Sequence, residues 1–401
     1  MGKPSLIKLG SAALLAVSIV LLSLHILRVG SLDVREEWIR TLAIGEEPAD
    51  IAVDKEVYVV TTRTTGLKGI ALYRLTDRGE VLWKKTWNPP KGVEAYPLSV
   101  KSLGGEIIVS VLNATKTSAY ILSYTVEGVL RRATEIPASP LSLLFDVDVY
   151  IDGTIVIGGL EYTVEHKSQY YVARIDPGSK ATYWNRVWGT DDYEYVVDVA
   201  VSPRGLIYAI GNTSRGGTTL TCLNGGGEEV WTTPLGLLEP IAIDFSRNGE
   251  QVYLLARSID TYRVVELSAV LGTPSRVIEL EKPSSLESIT PLDLEVVDEA
   301  NTLVVAGYGE RGGAIEALVL VYDLDSDELV RVIRVTANHQ ASFFLRIESW
   351  NNRLYAVGVA GTGTIVACYT VERVQVDALS IATLAVVALI ALTTLVKASR
   401  K

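Results

Sequence analysis

The chain has 401 residues and a formal charge of −10, with 47 acidic side chains against 37 basic ones. That length exceeds one ordinary compact core and calls for two domains or a repeat array. The acidic balance speaks against nucleic acid or anionic lipid as a partner, and two cysteines in 401 residues speak against a disulfide framework.

Residues 1–8 carry Lys3 and Lys8 and lead into LGSAALLAVSIVLLSLHIL (9–27), which contains no Asp, Glu, Lys or Arg. Such a run is long enough to cross roughly 30 Å of hydrocarbon. It is a membrane anchor or a cleaved signal peptide, for which Gly30–Ser31 supplies a small-residue cleavage site. A second such run, ALSIATLAVVALIALTTLV (378–396), precedes the tail 397–401 with Lys397, Arg400 and Lys401. The positive-inside rule then places both termini in the cytoplasm and residues 28–377 outside, where all 47 acids are collected. Scarce Cys, Met and Gln point to a hot habitat and, with this topology, to the surface of a heat-loving archaeon.

A few residues after the first apolar run comes VREEWIRTL (34–42), which shares its order of acidic, apolar, Trp and polar residues with EVLWKKTW (80–87) and EEVWTTPL (228–235). The latter two close units of about fifty residues; the first closes nothing, because no unit precedes it. Seven alternating apolar hairpins follow, beginning at 51, 98, 147, 199, 241, 292 and 345, for example VDVYIDGTIVIGG and VAVSPRGLIYAIG. A third strand follows each hairpin, and a fourth follows six of them. Four strands at a period near fifty predict an all-β, seven-bladed β-propeller. The seventh unit stops after its third strand near Arg373, so the segment around Trp38 is expected to supply the missing one and close the ring.

VAVSPRGLIYAIG with TTLTCLNGGGEEVWTT resembles the β-propeller repeats of prokaryotic surface proteins known as SBBP repeats, and more loosely PQQ-like and Kelch repeats. The resemblance rests on turn Gly, strand Tyr and fourth-strand Trp. It implies a fold and attaches no activity.

With strands ordered a to d from axis to rim, the chain enters at a d strand and leaves at a c strand. Both membrane segments are therefore expected on the face of the a–b and c–d turns. Longer insertions, 88–97, 161–169, 189–196, 308–316 and 336–342, fall on the opposite face, which is the candidate binding surface. It offers Trp188, Asp191, Asp192, Tyr193, Glu194 and Tyr195, with Tyr96, Glu310 and His339 from other loops. Carboxylates beside aromatic rings suit a cation, a sugar or a peptide, although a solvated loop with packed aromatics has the same composition. Sequons at Asn113 and Asn212 are read as b–c loop glycosylation sites on that same face.

Cys222 and Cys368 fall in c strands of blades on opposite sides of the ring, as small packed residues rather than a bridge. DLDSDE (323–328) begins like a calcium loop, but Glu328 and Arg334 stand where Gly and Glu are required, so it reads as an acidic c–d turn. No metal, no cofactor and no nucleic-acid partner is expected. The favoured function is a non-enzymatic module that binds a protein or glycan, or an accessory subunit of a membrane complex. The alternative is an extracellular hydrolase or lyase using distal-face carboxylates.

Overall fold

The computed structural model describes residues 31–374, apart from 64–68, 92, 140–141, 164–166, 216 and 337–339. Arg35–Thr370 form one compact unit. Its strands are β1 (Ser31–Ile44), β2 (Glu46–Val53), β3 (Val57–Arg63), β4 (Ile70–Leu75), β5 (Val81–Trp87), β6 (Ala95–Leu103), β7 (Glu106–Asn113), β8 (Ser118–Thr125) and β9 (Leu130–Pro137). They continue as β10 (Ser142–Val149), β11 (Ile155–Glu161), β12 (Gln169–Ile175), β13 (Thr182–Trp188), β14 (Glu194–Val201), β15 (Ile207–Thr213), β16 (Thr218–Leu223), β17 (Glu229–Gly236), β18 (Glu239–Phe245), β19 (Gln251–Arg257), β20 (Tyr262–Ser268) and β21 (Pro274–Glu279). The last are β22 (Ser288–Val297), β23 (Thr302–Arg311), β24 (Ala314–Asp323), β25 (Glu328–Val335), β26 (Ser342–Trp350), β27 (Arg353–Ala360) and β28 (Gly363–Val374).

These strands make seven four-stranded antiparallel sheets, six of them from consecutive strands and the seventh in the order β1-β28-β27-β26. The N-terminal strand therefore completes the last blade, as its sequence indicated. Thr370 donates its hydroxyl to Glu37 at 2.8 Å across this seam, and the Gly45 amide reaches Thr362 O at 2.9 Å. Closure removes the open edge a half-blade would leave. The expected spans 9–27 and 378–396 lie outside the described residues, among which no helix is long and apolar enough to cross a membrane.

The middle strands of each blade are covered on both faces, so they read as unbroken apolar runs such as IVIGG and LVLVYD. Outer strands such as β5 and β17 alternate exposed and half-buried residues, the period-two pattern of a sheet with one wet face. Core clusters form between blades rather than within them. One joins Tyr58, Val60 and Leu72 of blade one to Val100, Val109 and Leu122 of blade two; another joins Trp38, Tyr355 and Cys368 to Ile51, Val59 and Tyr73 across the seam. Cys222 and Cys368 are buried and free, as expected of packed small residues.

At the rim, four fourth-strand tryptophans wedge under the c–d turn of the next blade. Their Nε1–H groups reach Asp77 O from Trp38 at 2.9 Å, Val126 O from Trp83 at 3.0 Å, Gly225 O from Trp184 at 2.9 Å and Ala269 O from Trp231 at 2.9 Å. Each turn has a glycine at positive φ (Gly79, Gly128, Gly227, Gly272), where an added Cβ would come within 3.0 Å of the indole. In blades two, five and six the register puts Arg132, Arg276 and Arg331 at the wedge position.

Two expectations change in detail. The 308–316 segment is no insertion: β23 and β24 simply run long, with Glu310 paired to Ile315 and a Gly312–Gly313 turn beyond. Both glycines lie at positive φ, which a tight two-residue hairpin requires, and that explains the glycine pair in the sequence. The sequon asparagines end strands rather than sit in loops: Asn113 closes β7, and Asn212 is laddered between Tyr195 and Thr218.

Candidate functional site

The distal loops of blades two to four do gather polar and aromatic groups. Asp192 is buried; it accepts a hydrogen bond from the Ser214 hydroxyl and pairs with Arg215 at 3.0 Å. Those partners, Ser214 first, hold its carboxyl below the usual range. Tyr193 is 48% exposed, with the Lys167 ammonium 4.7 Å from its ring. Glu194 is turned inward, accepting from the Thr190 amide and hydroxyl. Tyr195 packs on Phe145 with centroids 5.6 Å apart, and Lys116 lies 4.0 Å over Phe145. Trp188 packs on Tyr170 at 5.5 Å, while Tyr96, 45% exposed, stands at the start of β6. Asp191 is exposed beside them. Glu310 is placed apart, in β23 of blade six, and His339 lies outside the described residues.

A second constellation, unforeseen from the sequence, lines the central channel. Each innermost strand carries a β-bulge near its start. The residue after the bulge is Asp50, Ser99, Asp146, Asp198, Ala242, Asp293 or Arg346, which together form one ring. Two residues further on lies a second ring of Ala52, Lys101, Asp148, Ala200, Asp244, Glu295 and Glu348. Residues of both rings line a cavity of about 520 Å³.

Most of these carboxylates have a structural task. The innermost strand of a blade has no partner towards the axis, so its amides face the channel unpaired. Asp50 accepts the Val100 amide at 2.8 Å, Asp146 that of Val199 at 3.0 Å and Asp293 that of Ile347 at 2.9 Å. In the second ring Asp148 takes Val201 at 2.8 Å, Asp244 takes Val296 at 2.7 Å and Glu295 takes Ser349 at 2.9 Å. Every one of these bonds runs from one blade to the next. They are charge-assisted wherever the carboxyl is ionised.

Crowding acids inside the ring alters their protonation. Burial pushes Asp293 up to about 7, and burial together with the charge of the neighbouring Asp198 raises Asp146 well above the usual range. Burial with the neighbouring Asp244 and Glu348 raises Glu295 likewise. The two cations are held charged: Lys101 by Asp148, 3.9 Å away, and Arg346, despite its burial, by Asp293 and Asp50. Among the described residues no group of three or more His, Cys, Asp or Glu is arranged to hold a metal ion.

No family model matches the sequence, and no curated protein matches it. Solved structures do. The S511A mutant of puromycin hydrolase complexed with PGG superimposes with a TM-score of 0.54 at 14% identity, covering 78% of this chain and 50% of that one. Puromycin hydrolase itself gives 0.54 at 13% identity, covering 80% and 51%. The chain thus spans about half the length of these structures, and likeness at such identity shows the fold alone. The fold is that of an all-β, seven-bladed propeller.

Proposed function

We propose that this protein is a binding or scaffold module, a propeller of the SBBP-repeat kind held at the outer face of a membrane, and that its distal face meets a protein or glycan partner. The observation that carries this reading is the sector over blades two to four. There, half-exposed Tyr96 and Tyr193 stand with Lys116, Lys167 and Arg215 in a chain that is otherwise acidic. Tyrosine and arginine are enriched at contact surfaces. The uncharged runs 9–27 and 378–396 support the tether. Glycans on Asn113 and Asn212 would project from the distal face. Affinity capture from native membrane tests the reading: a stoichiometric partner is expected with the unaltered chain and lost with Tyr193→Ala/Arg215→Ala while cooperative thermal unfolding is retained. Retention by the double variant would remove the distal assignment.

One observation favours hydrolase or lyase chemistry as a second reading. Asp146 and Asp198 line one cavity at the axis, and burial with the neighbouring Asp198 charge raises the carboxyl of Asp146, as a proton donor requires. Loss of cell-surface glycan turnover in Asp198→Asn, without loss of the captured partner, would support it.

A further inference from the structure

The two sides of the propeller differ in what they expose. Among the described residues, most of the exposed large apolar side chains stand on the side of the a–b and c–d turns. Val129, Val270 and Leu271 lie in c–d turns, Ile151 lies in an a–b turn, and Tyr183 and Val230 are the second residues of β13 and β17. Single exposed apolar residues are ordinary, but a set that crowds one face marks a contact surface. The blade-five turn makes this plainest. Trp231 donates to Ala269 O and packs against Gly272, so the fold uses the ends of that turn, while Val270 and Leu271 between them are 63% and 67% exposed.

The same turn, SAVLGTP (268–274), contains no charged residue, whereas the c–d turns of blades one to four and six each carry a carboxylate: Asp77, Glu127, Asp176, Glu228 and Asp325. The basic residues of the neighbouring a–b turns, Arg204 and Arg247, are paired with Glu250 and Glu299. The chain also leaves on this side. Thr370, near the end of β28, is laddered to Arg353, directly after the a–b turn of blade seven, and its hydroxyl meets Glu37 of β1. Only 28–34 and 371–377 separate this point from the uncharged runs 9–27 and 378–396. Fully extended, linkers of that length reach roughly 25 Å.

From this asymmetry we infer that the a–b and c–d side lies directly on the lipid bilayer, with Val270 and Leu271 inserted at headgroup depth, and that the surface it fits is uncharged or zwitterionic lipid. The inference rests on the reading of 9–27 and 378–396 as membrane anchors. Anchors leaving at blade seven and an apolar turn at blade five hold the propeller at two separate points of its rim. Tyr183, and Trp350 beside the blade-seven turn, add exposed rings of the kind that settle at a membrane–water interface. Carboxylates on the flanking turns decide the lipid. Anionic headgroups would face Glu127, Glu228 and Asp325 within a Debye length of roughly 10 Å, whereas zwitterionic ones bring a cation to meet them.

Nitroxide labels on the full-length chain in phosphatidylcholine nanodiscs test this, one at Leu271→Cys and one at Ile259→Cys in the b–c loop of the same blade. Cys222 and Cys368 are buried and do not compete for the label. Collision with a neutral, water-soluble nickel chelate is the readout. We expect the Leu271 label to be at least about fivefold less accessible than the Ile259 label, and that protection to fall at least about twofold in phosphatidylglycerol discs. Val270→Asp, in a chain that keeps cooperative thermal unfolding, should open the Leu271 label to the chelate. Equal accessibility at the two sites in phosphatidylcholine would overturn the seating, and undiminished protection in phosphatidylglycerol would overturn the lipid preference. Protection in native membrane but not in the discs would assign the turn to a protein partner instead. A chain that does not enter the discs removes anchors and seating together, whereas one that enters with its Leu271 label open removes the seating alone.

Discussion

Glu46 shows how much one side chain can organise here. From the first position of β2 it accepts the Thr61 hydroxyl at 2.8 Å, the Tyr73 hydroxyl at 2.7 Å and the Lys84 ammonium at 2.6 Å, one from each remaining strand of its blade. Burial alone would raise its carboxyl, but Lys84, Tyr73 and Thr61 together hold it below the usual range. Glu46→Ala leaves three donors without their acceptor, and we expect a loss of about 2–4 kcal/mol in denaturant unfolding. Glu46→Gln keeps an acceptor and should lose less. The indole wedges make a comparable case. Trp184→Ala removes a half-buried ring and its bond to Gly225 O, for an expected loss of about 3 kcal/mol. Gly227→Ala, with φ at +82° and the Trp184 ring 2.6 Å from the new Cβ, should destabilise by a similar amount through strain and clash. If the Gly227 variant unfolded at the same denaturant concentration as the parent, the close packing of turn on wedge would be refuted.

Among the strands, β1 carries the most weight, because the ring depends on a pairing between opposite ends of the propeller. A chain lacking 33–44 leaves β28 with an open edge and strips Trp38 from the core it shares with Tyr355. We expect that chain to lose cooperative thermal unfolding and to self-associate, and an excess of synthetic peptide 31–44 to restore both properties; unaltered cooperativity on deletion would rule out the clasp. This part of the architecture was legible because strand period, turn glycines and fourth-strand Trp are local signals repeated about every fifty residues. The channel rings were not. Asp50, Asp146, Asp198 and Asp293 each look like an ordinary polar residue in an alternating strand, and only closure brings them together around one axis. A signal was nevertheless present: Pro48, Pro97, Pro240 and Pro291 each stand at the bulge of an inner strand. Proline within a strand marks an edge, and an edge facing inward identifies the axis. The distal loops were legible as surface, but their inward-turned members were not. The Asp192 carboxylate is held by Ser214 and the Glu194 main chain by Ser168, both contributed by segments outside that loop.

For the molecule as a whole, two sets of carboxyls pull stability in opposite directions with pH. Asp293, pushed by burial from 3.8 up to about 7, binds its proton more tightly folded than unfolded. Its contribution is complete below about pH 4 and is lost as the pH rises through 7. Asp50, Asp146 and Glu295 are shifted upward as well and act in the same sense, around a channel whose cations are Lys101 and Arg346. Glu46 and Asp192 are shifted downward. Their contribution is present above the ordinary carboxyl range and is lost as the pH falls. Between these limits the propeller should be most stable in mildly acidic solution near pH 5, with a loss on the order of a few kcal/mol by pH 8.5. Thermal unfolding of the full chain should therefore give a lower midpoint at pH 8.5 than at pH 5.5. Asp293→Asn keeps a carbonyl oxygen for the Ile347 amide while removing the titrating group, so it should flatten that decline without lowering the midpoint at pH 8.5. A midpoint that climbs steadily from pH 5.5 to 8.5 would mean that the channel acids are ionised and compensated, and that the rings are not the proton store their crowding implies.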